Sequence, residues 1–209
     1  MEILLPLAVV IGSYLLGSLS FAVIVSRFMG LADPRSYGSK NPGATNVLRS
    51  GSKKAAVLTL LFDALKGCLP VMLVLAWGPA HGLGSGVAAM AGLAAFLGHL
   101  YPVFFGFSGG KGVATALGVV VGINAWLALA TVLTFGIVVY FSRYVSLASM
   151  LAAVFAPVYY LFGDGVAWQA SAAEVLGLSV MALLLIWRHR ENINRLLAGT
   201  ESKLGSKKP

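Results

Sequence analysis

Apolar residues run along this chain in long blocks, not in the alternation of strands or the one-sided stripes of soluble helices. A helix needs about 20 such residues to cross the hydrocarbon of a bilayer. Blocks of this kind cover residues 3–28, 55–77, 85–105, 146–162 and 173–187. A further stretch, 113–141, is long for one span and short for two. Asn124, shortly after Gly122, divides it into two short pieces. The pattern predicts an all-α membrane protein, a bundle of seven transmembrane helices with spans four and five short, forming a single domain over 1–209. The first block has no basic start, so it reads as a retained span and not as a cleaved leader.

Charge sets the expected orientation. Arg27 closes the first block and Arg35, Lys40, Arg49, Lys53 and Lys54 follow it, Lys111 follows the third span and Arg143 the fifth span. Arg188, Arg190, Arg195, Lys203, Lys207 and Lys208 follow the last. The alternate loops, 78–84, around Asn124 and 163–172, hold no Lys or Arg. Cytoplasmic loops are the basic ones, which predicts an N-terminus outside and a C-terminus inside. Reading 113–141 as one span would reverse everything after it. Apart from Arg27 at the edge of the first block, Lys66 alone among the 15 basic residues falls inside a span, three residues after Asp63. Such a pair is functional by default or simply neutralises itself.

Composition agrees with a membrane protein. The chain is 58% hydrophobic and 11% charged, with a mean hydropathy of +0.88. A net charge of +8 would suggest nucleic acid in a soluble protein. Here topology accounts for it, so no nucleic acid is expected, and anionic membrane lipid is the partner of the basic tail. Cys68 stands alone in an apolar run and reads as a small core residue. Seven scattered acids without a DxxD pattern disfavour a metal-using lipid-phosphate transferase; no metal and no cofactor are expected. Glycines inside spans, as in GVAAMAGLAAFLGH, read as close helix packing.

Four polar segments fall on the expected cytoplasmic side. In YGSKNPGATNVLRSGSKK, Asn-Pro-Gly enforces a turn, while Gly38 and Gly43 let a ligand approach the backbone. Thr45 or Asn46 would cap a short helix ahead of Gly51, and Arg49 with Lys40 would bind phosphate. In GFSGGKGVAT, glycines at 106, 109, 110 and 112 surround Lys111 just before a helix, the makings of an anion cradle. A Walker A loop would need Ser or Thr at Gly112. His99, at the end of the third block, is either a satisfied interior histidine or part of that site. In FSRYVSLAS, Ser146 and Ser149 lie one turn apart and are caps or site residues. In WRHRENINRLLAGTESK, His189, Asn192 and Arg195 share a helical face; Asn192 and Glu201 add nothing to a lipid-binding tail. The shared chemistry is anion binding by Arg49, Lys111, Arg143, Arg188 and Arg195, with amides and hydroxyls.

At GSKNPGATNVLR, GHLYPVFFGFSGGKGVAT and RHRENINRLLAGTE the chain resembles the bacterial membrane acyl-phosphate:glycerol-3-phosphate acyltransferase family, in motif order and spacing, over essentially its whole length. The resemblance implies acyl transfer from an acyl phosphate to the 1-hydroxyl of glycerol 3-phosphate, giving lysophosphatidic acid and inorganic phosphate in phospholipid synthesis. It implies a multi-pass protein of the bacterial cytoplasmic (inner) membrane, its site on the cytoplasmic face, and an enzyme elsewhere that produces the acyl phosphate. As catalytic residues it points to Ser39, Arg49, Lys111, Ser146, His189 and Asn192; as binding residues to Asn41, Asn46, Gly109, Gly110 and Glu201, to which Gly43 and Thr45 of the first motif are added. Ser20, Lys40 and Ser108 depart from the family pattern, which commonly has proline, glycine and lysine there.

The HxxxxD pair of soluble glycerol-phosphate acyltransferases is absent: Gly86, Phe104 and Asn194 stand five residues beyond the three histidines. Direct transfer from the mixed anhydride is therefore expected, with an acyl-Ser146 or acyl-Ser39 intermediate as the competing scheme. A transporter of a phosphorylated metabolite is the alternative function. It would need polar residues on both faces, whereas the expected outer loops hold only His81, Asp164, Gln169 and small polar residues.

Overall fold

The computed structural model describes residues 3–205, so Lys207 and Lys208 lie outside the described residues. Those residues form ten α-helices and three short 3-10 turns, without a strand beyond the isolated bridge of Asp164 with Trp168. The chain divides into two compact units, the first ending at Ile123 and the second beginning at Asn124.

The first unit contains α1 (Leu4–Gly17), α2 (Phe21–Phe28), α3 (Ala44–Val47), α4 (Lys53–Trp77), α5 (Ser85–Leu100) and α6 (Val113–Ile123). Helix α4 packs against α5 and α6, and α1 packs against α5. Glycine makes these approaches possible, because lipid tails supply no hydrophobic drive and helix pairs in a bilayer depend on close contact. A methyl on Gly118 would lie 1.9 Å from the carbonyl oxygen of Ala64, and one on Gly67 would lie 2.2 Å from that of Thr115. Gly17 and Gly98 serve the α1–α5 contact in the same way.

The first apolar block differs from expectation. It is not one helix but two, α1 and α2, bent by 45° across Ser18–Ser20. The sequence Gly17-Ser18-Leu19-Ser20 carries no proline, and helix propensity alone does not stop a helix there. At the break, Nζ of Lys66 donates to the carbonyl of Leu19 at 2.7 Å, satisfying an acceptor that the break releases.

The second unit contains α7 (Ala125–Ser142), α8 (Val145–Phe162), α9 (Ala172–Arg188) and α10 (Arg190–Leu197). Helix α8 packs on both α7 and α9. Asn124 divides the 113–141 stretch as expected: its Oδ1 accepts from the backbone N–H groups of Trp126 and Leu127, at 2.9 and 3.0 Å, and starts α7. The two pieces are unequal. Helix α6, 11 residues, is about 16 Å long against roughly 30 Å of hydrocarbon. Helix α7 has 18 residues and is long and apolar enough to cross on its own, so only the first piece is short.

By length and apolar character, Lys53–His81, Ser85–Phe105, α7 and α8 qualify as spans, and the bent pairs α1–α2 and α9–α10 qualify jointly. The α9–α10 pair turns by 57° at His189. That bend corrects the expectation of one continuous face carrying His189, Asn192 and Arg195.

Candidate functional site

In the first unit, the 33–52 loop is organised by one side chain. Asn46 lies in α3 and is 2% exposed. Its Oδ1 accepts from the backbone N–H of Ser39 at 3.0 Å and from Nη1 of Arg49 at 3.4 Å. Its Nδ2 donates to the carbonyls of Pro34 and Tyr37, at 2.6 and 3.2 Å. Asn46 thus folds the loop back on itself and aims Arg49. Contrary to expectation, neither it nor Thr45 caps α3. Gly43 holds that position without a side-chain cap, and its carbonyl receives the N–H groups of Asn46 and Val47.

Arg49 is exposed, and among the described residues no carboxylate pairs with it. Arg35 is the contrast. Nε and Nη2 reach the Asp33 carboxylate at 3.0 and 2.6 Å, its plane lies over Phe105, and it holds the Asp33 carboxyl below its usual range. Ser39 is exposed and Asn41 half-buried. Lys40 has φ +55°, in the left-handed region that side chains avoid.

The glycine loop runs from α5 to α6. Gly106 and Gly112 have φ of +62° and +85°, and Phe107 is forced to +58°. The glycines expected to leave room for a ligand are largely filled by protein. A methyl on Gly109 would sit 2.1 Å from the carbonyl oxygen of His99, one on Gly110 2.2 Å from Nε2 of His99, and one on Gly112 2.3 Å from the ring of Phe96. A methyl on Gly110 would also approach the carbonyl of Pro42 to 2.8 Å. The first and second motifs therefore meet at Pro42 and Gly110, and Lys111 stands half-buried between Gly110 and the start of α6. Gly43 is more open: a methyl there would meet only Nδ2 of Asn41, at 3.2 Å.

In the second unit, Glu201 is a hub. Oε1 accepts from the hydroxyl of Ser146 and from Nδ2 of Asn192, both at 2.6 Å, and Oε2 accepts from Nε of Arg195 at 2.7 Å. Burial pushes the carboxyl's pKa up, but the hydrogen bonds from Ser146, Asn192 and Arg195 outweigh it and hold the group below its ordinary value. Ser146 is therefore not a cap; Tyr144 holds that position. Ser149 turns onto its own helix, donating to the carbonyl of Val145 at 2.9 Å. His189 is buried, with Nδ1 2.8 Å from the carbonyl of Leu185. A carbonyl only accepts, so Nδ1 carries the proton.

Two residues expected to bind anions are otherwise engaged: Arg195 on Glu201, and Arg143, whose Nη2 donates to the carbonyl of Leu204 at 2.8 Å. Among the described residues, no three His, Cys, Asp or Glu side chains are gathered as a metal site would need. The buried hub was legible only as an unexplained Glu201 and Asn192 in a basic tail. The role of Leu19 in the helix break left no signal in the sequence.

Comparison with known proteins places these features in a family. Residues 7–199 match the family model described as glycerol-3-phosphate acyltransferase. A glycerol-3-phosphate acyltransferase of Albidiferax ferrireducens is 65% identical over 99% of this chain and 92% of its own length. One of Bordetella pertussis is 59% identical over 96% and 93%. The crystal structure of PlsY, an integral membrane glycerol 3-phosphate acyltransferase, in its glycerol 3-phosphate form superposes with a TM-score of 0.87 at 43% identity, covering 96% of each chain. Its lysophosphatidic acid form gives 0.86 at 42%, covering 96% and 95%. With this sequence likeness over nearly the whole chain and the same helical fold, the chain is an integral membrane acyltransferase and belongs to the glycerol-3-phosphate acyltransferase family.

Proposed function

We propose that this enzyme transfers the acyl group of an acyl phosphate to the 1-hydroxyl of glycerol 3-phosphate, releasing inorganic phosphate and lysophosphatidic acid for phospholipid synthesis. The observation that carries the reading is Arg49. It is held at a loop edge by Asn46, without a carboxylate partner among the described residues, on the loop that meets the glycine loop of Lys111 at Pro42 and Gly110. A cation fixed in advance, and not spent on an internal carboxylate, suits a phosphoryl group. A solved relative of the same fold in glycerol 3-phosphate and lysophosphatidic acid forms supports the acceptor and the product.

In the reaction as read, the acceptor hydroxyl oxygen attacks the acyl carbon and the bond from that carbon to the phosphate oxygen breaks. The hydroxyl proton passes to an oxygen of the departing phosphate, which leaves as hydrogen phosphate. Arg49 and Lys111 offset the charge of phosphoryl groups, and loop amides with Ser39, Asn41, Gly43 and Thr45 orient them.

The competing scheme has one observation in its favour: Ser146 donates to a carboxylate at 2.6 Å, as an activated serine would. The charge on Glu201 argues the other way. A carboxylate already stabilised by Asn192 and Arg195, its pKa held low, is a poor base for an alcohol. Ser146 is better read as held than as activated. The charge pattern supports seven crossings, N-terminus out and C-terminus in, with the polar loops on the cytoplasmic side of the inner membrane.

The test is a release assay on purified protein with acyl phosphate, with and without glycerol 3-phosphate, and no coenzyme A or added metal. Phosphate release that requires glycerol 3-phosphate, with a monoacyl product, is the expected result. No esterified product with both substrates present would overturn the reading. Rapid quench with labelled donor should leave no acyl group on the protein; a trapped acyl-Ser146 would replace direct transfer with the two-step scheme.

A further inference from the structure

The reaction as read makes no use of Asp63, Lys66 and His99, yet all three are buried in the membrane-spanning part of the first unit. Charges there are expensive, and a pair whose only task is mutual neutralisation is commonly replaced by apolar side chains without loss. This pair has attachments at both ends. Nζ of Lys66 lies 2.8 Å from Oδ1 of Asp63 and donates to Leu19 at the α1–α2 break at 2.7 Å. On its other side, Oδ1 of Asp63 faces Nδ1 of His99 at 3.6 Å.

His99 in turn abuts the glycine loop. Its carbonyl accepts from the N–H of Gly110 at 3.2 Å, and the ring is close enough that a methyl on Gly110 would stand 2.2 Å from Nε2. At 3.6 Å the pair makes no hydrogen bond, but a carboxylate this near one nitrogen of an imidazole favours the proton there by charge and so biases the ring's orientation. We propose that Asp63 and His99 are positioning residues. Through the ring and carbonyl of His99 they set the backbone of Gly109, Gly110 and Lys111 for a phosphoryl group of the substrate, and Lys66 anchors the carboxylate to the helix break. This rests on the reading of that loop as a phosphate cradle.

Two measurements on the purified full chain test it: KM and kcat for each substrate separately, and hydrogen exchange of the 106–112 amides. The variants are Lys111→Ala, the apolar pair Asp63→Leu with Lys66→Met, which leaves no charge stranded, and His99→Gln. The pair variant and His99→Gln are expected to raise, by about tenfold, the KM of the same substrate that Lys111→Ala affects. Their kcat should change by less than about threefold, and exchange should quicken in the loop but not in α5 or α6. A folded pair variant with unchanged KM and unchanged loop exchange would overturn the proposal. If the pair variant does not fold, His99→Gln supplies the same two readouts, and unchanged values in it overturn the proposal equally. Loop exchange that quickens while Lys111→Ala leaves both KM values unchanged would sink the cradle reading and keep the positioning role.

Discussion

Ser146 and Glu201 are 55 residues apart in the chain and joined by a 2.6 Å hydrogen bond. The hydroxyl at the start of α8 thereby ties down the segment that follows α10. Leu204 completes the strap, its N–H donating to the carbonyl of Arg143 at 2.7 Å. Glu201→Gln removes the charge that collects Arg195, Asn192 and Ser146, and each hydrogen bond to a charged group is worth about 1.5–3 kcal/mol. A Tm lowered by several degrees in thermal unfolding is the expected result.

The same carboxylate sets a pH dependence. Its pKa in the folded protein lies below the ordinary glutamate value, so the unfolded chain takes up the proton first as pH falls. The contribution of Glu201 to stability is therefore complete at neutral pH, declines once pH drops below the ordinary glutamate value, and is gone below the folded one. Tm measured from pH 7 down to the acid limit of solubility should fall less in Glu201→Gln than in the parent. Parallel curves would mean that the carboxylate is not preferentially ionised in the fold.

Asn46 and Arg49 touch, but their loss should differ in kind. Arg49 is exposed, so Arg49→Ala should leave stability within about 0.5 kcal/mol of the parent. It should lower kcat/KM by about 10²–10³, the usual cost of one preorganised donor. Asn46→Ala strands the buried carbonyl of Pro34 and should lower both Tm and activity, since a buried group left unsatisfied costs about 1–3 kcal/mol. Equal losses of Tm in the two variants would contradict the division between a loop-former and a ligand.

Glycines of the second motif should separate by what surrounds them. Gly110→Ala drives a methyl to 2.2 Å from the His99 ring and 2.8 Å from the Pro42 carbonyl, so the loop must move and activity should collapse. Gly106→Ala meets open space and carries only the strain of its φ of +62°, about 1 kcal/mol. It should stay active. An inactive Gly106→Ala beside an active Gly110→Ala would reverse this assignment.

Lys40 offers a test in the opposite direction. Its φ of +55° favours glycine. Lys40→Gly should keep activity and leave stability equal or raised by up to about 1 kcal/mol. A large loss of activity would promote Lys40 from a strained loop residue to a phosphate ligand.

Much of this molecule could be read from residue order, because bilayer thickness imposes a length on apolar segments and one side chain suffices to start a helix. The apolar segments that become α4, α5, α7, α8 and α9 follow from that constraint, as does the division at Asn124, whose side chain caps α7 unaided. Arg49 and Lys111 stood out as cations among glycines and hydroxyls. Other features depended on partners far along the chain, which local pattern does not encode. The carbonyl released at the α1–α2 break is satisfied by Lys66, 47 residues away; Ser146 changes from a capping candidate to an anchor because Glu201 reaches it; Gly109 and Gly110 are glycine because His99 and Pro42 occupy the space a side chain would take. Residue order determined which segments are apolar enough to cross and which residues carry charge. Tertiary contact decided which of those charges are spent on the fold, because a hydrogen bond or a steric limit exists only once both partners are in place.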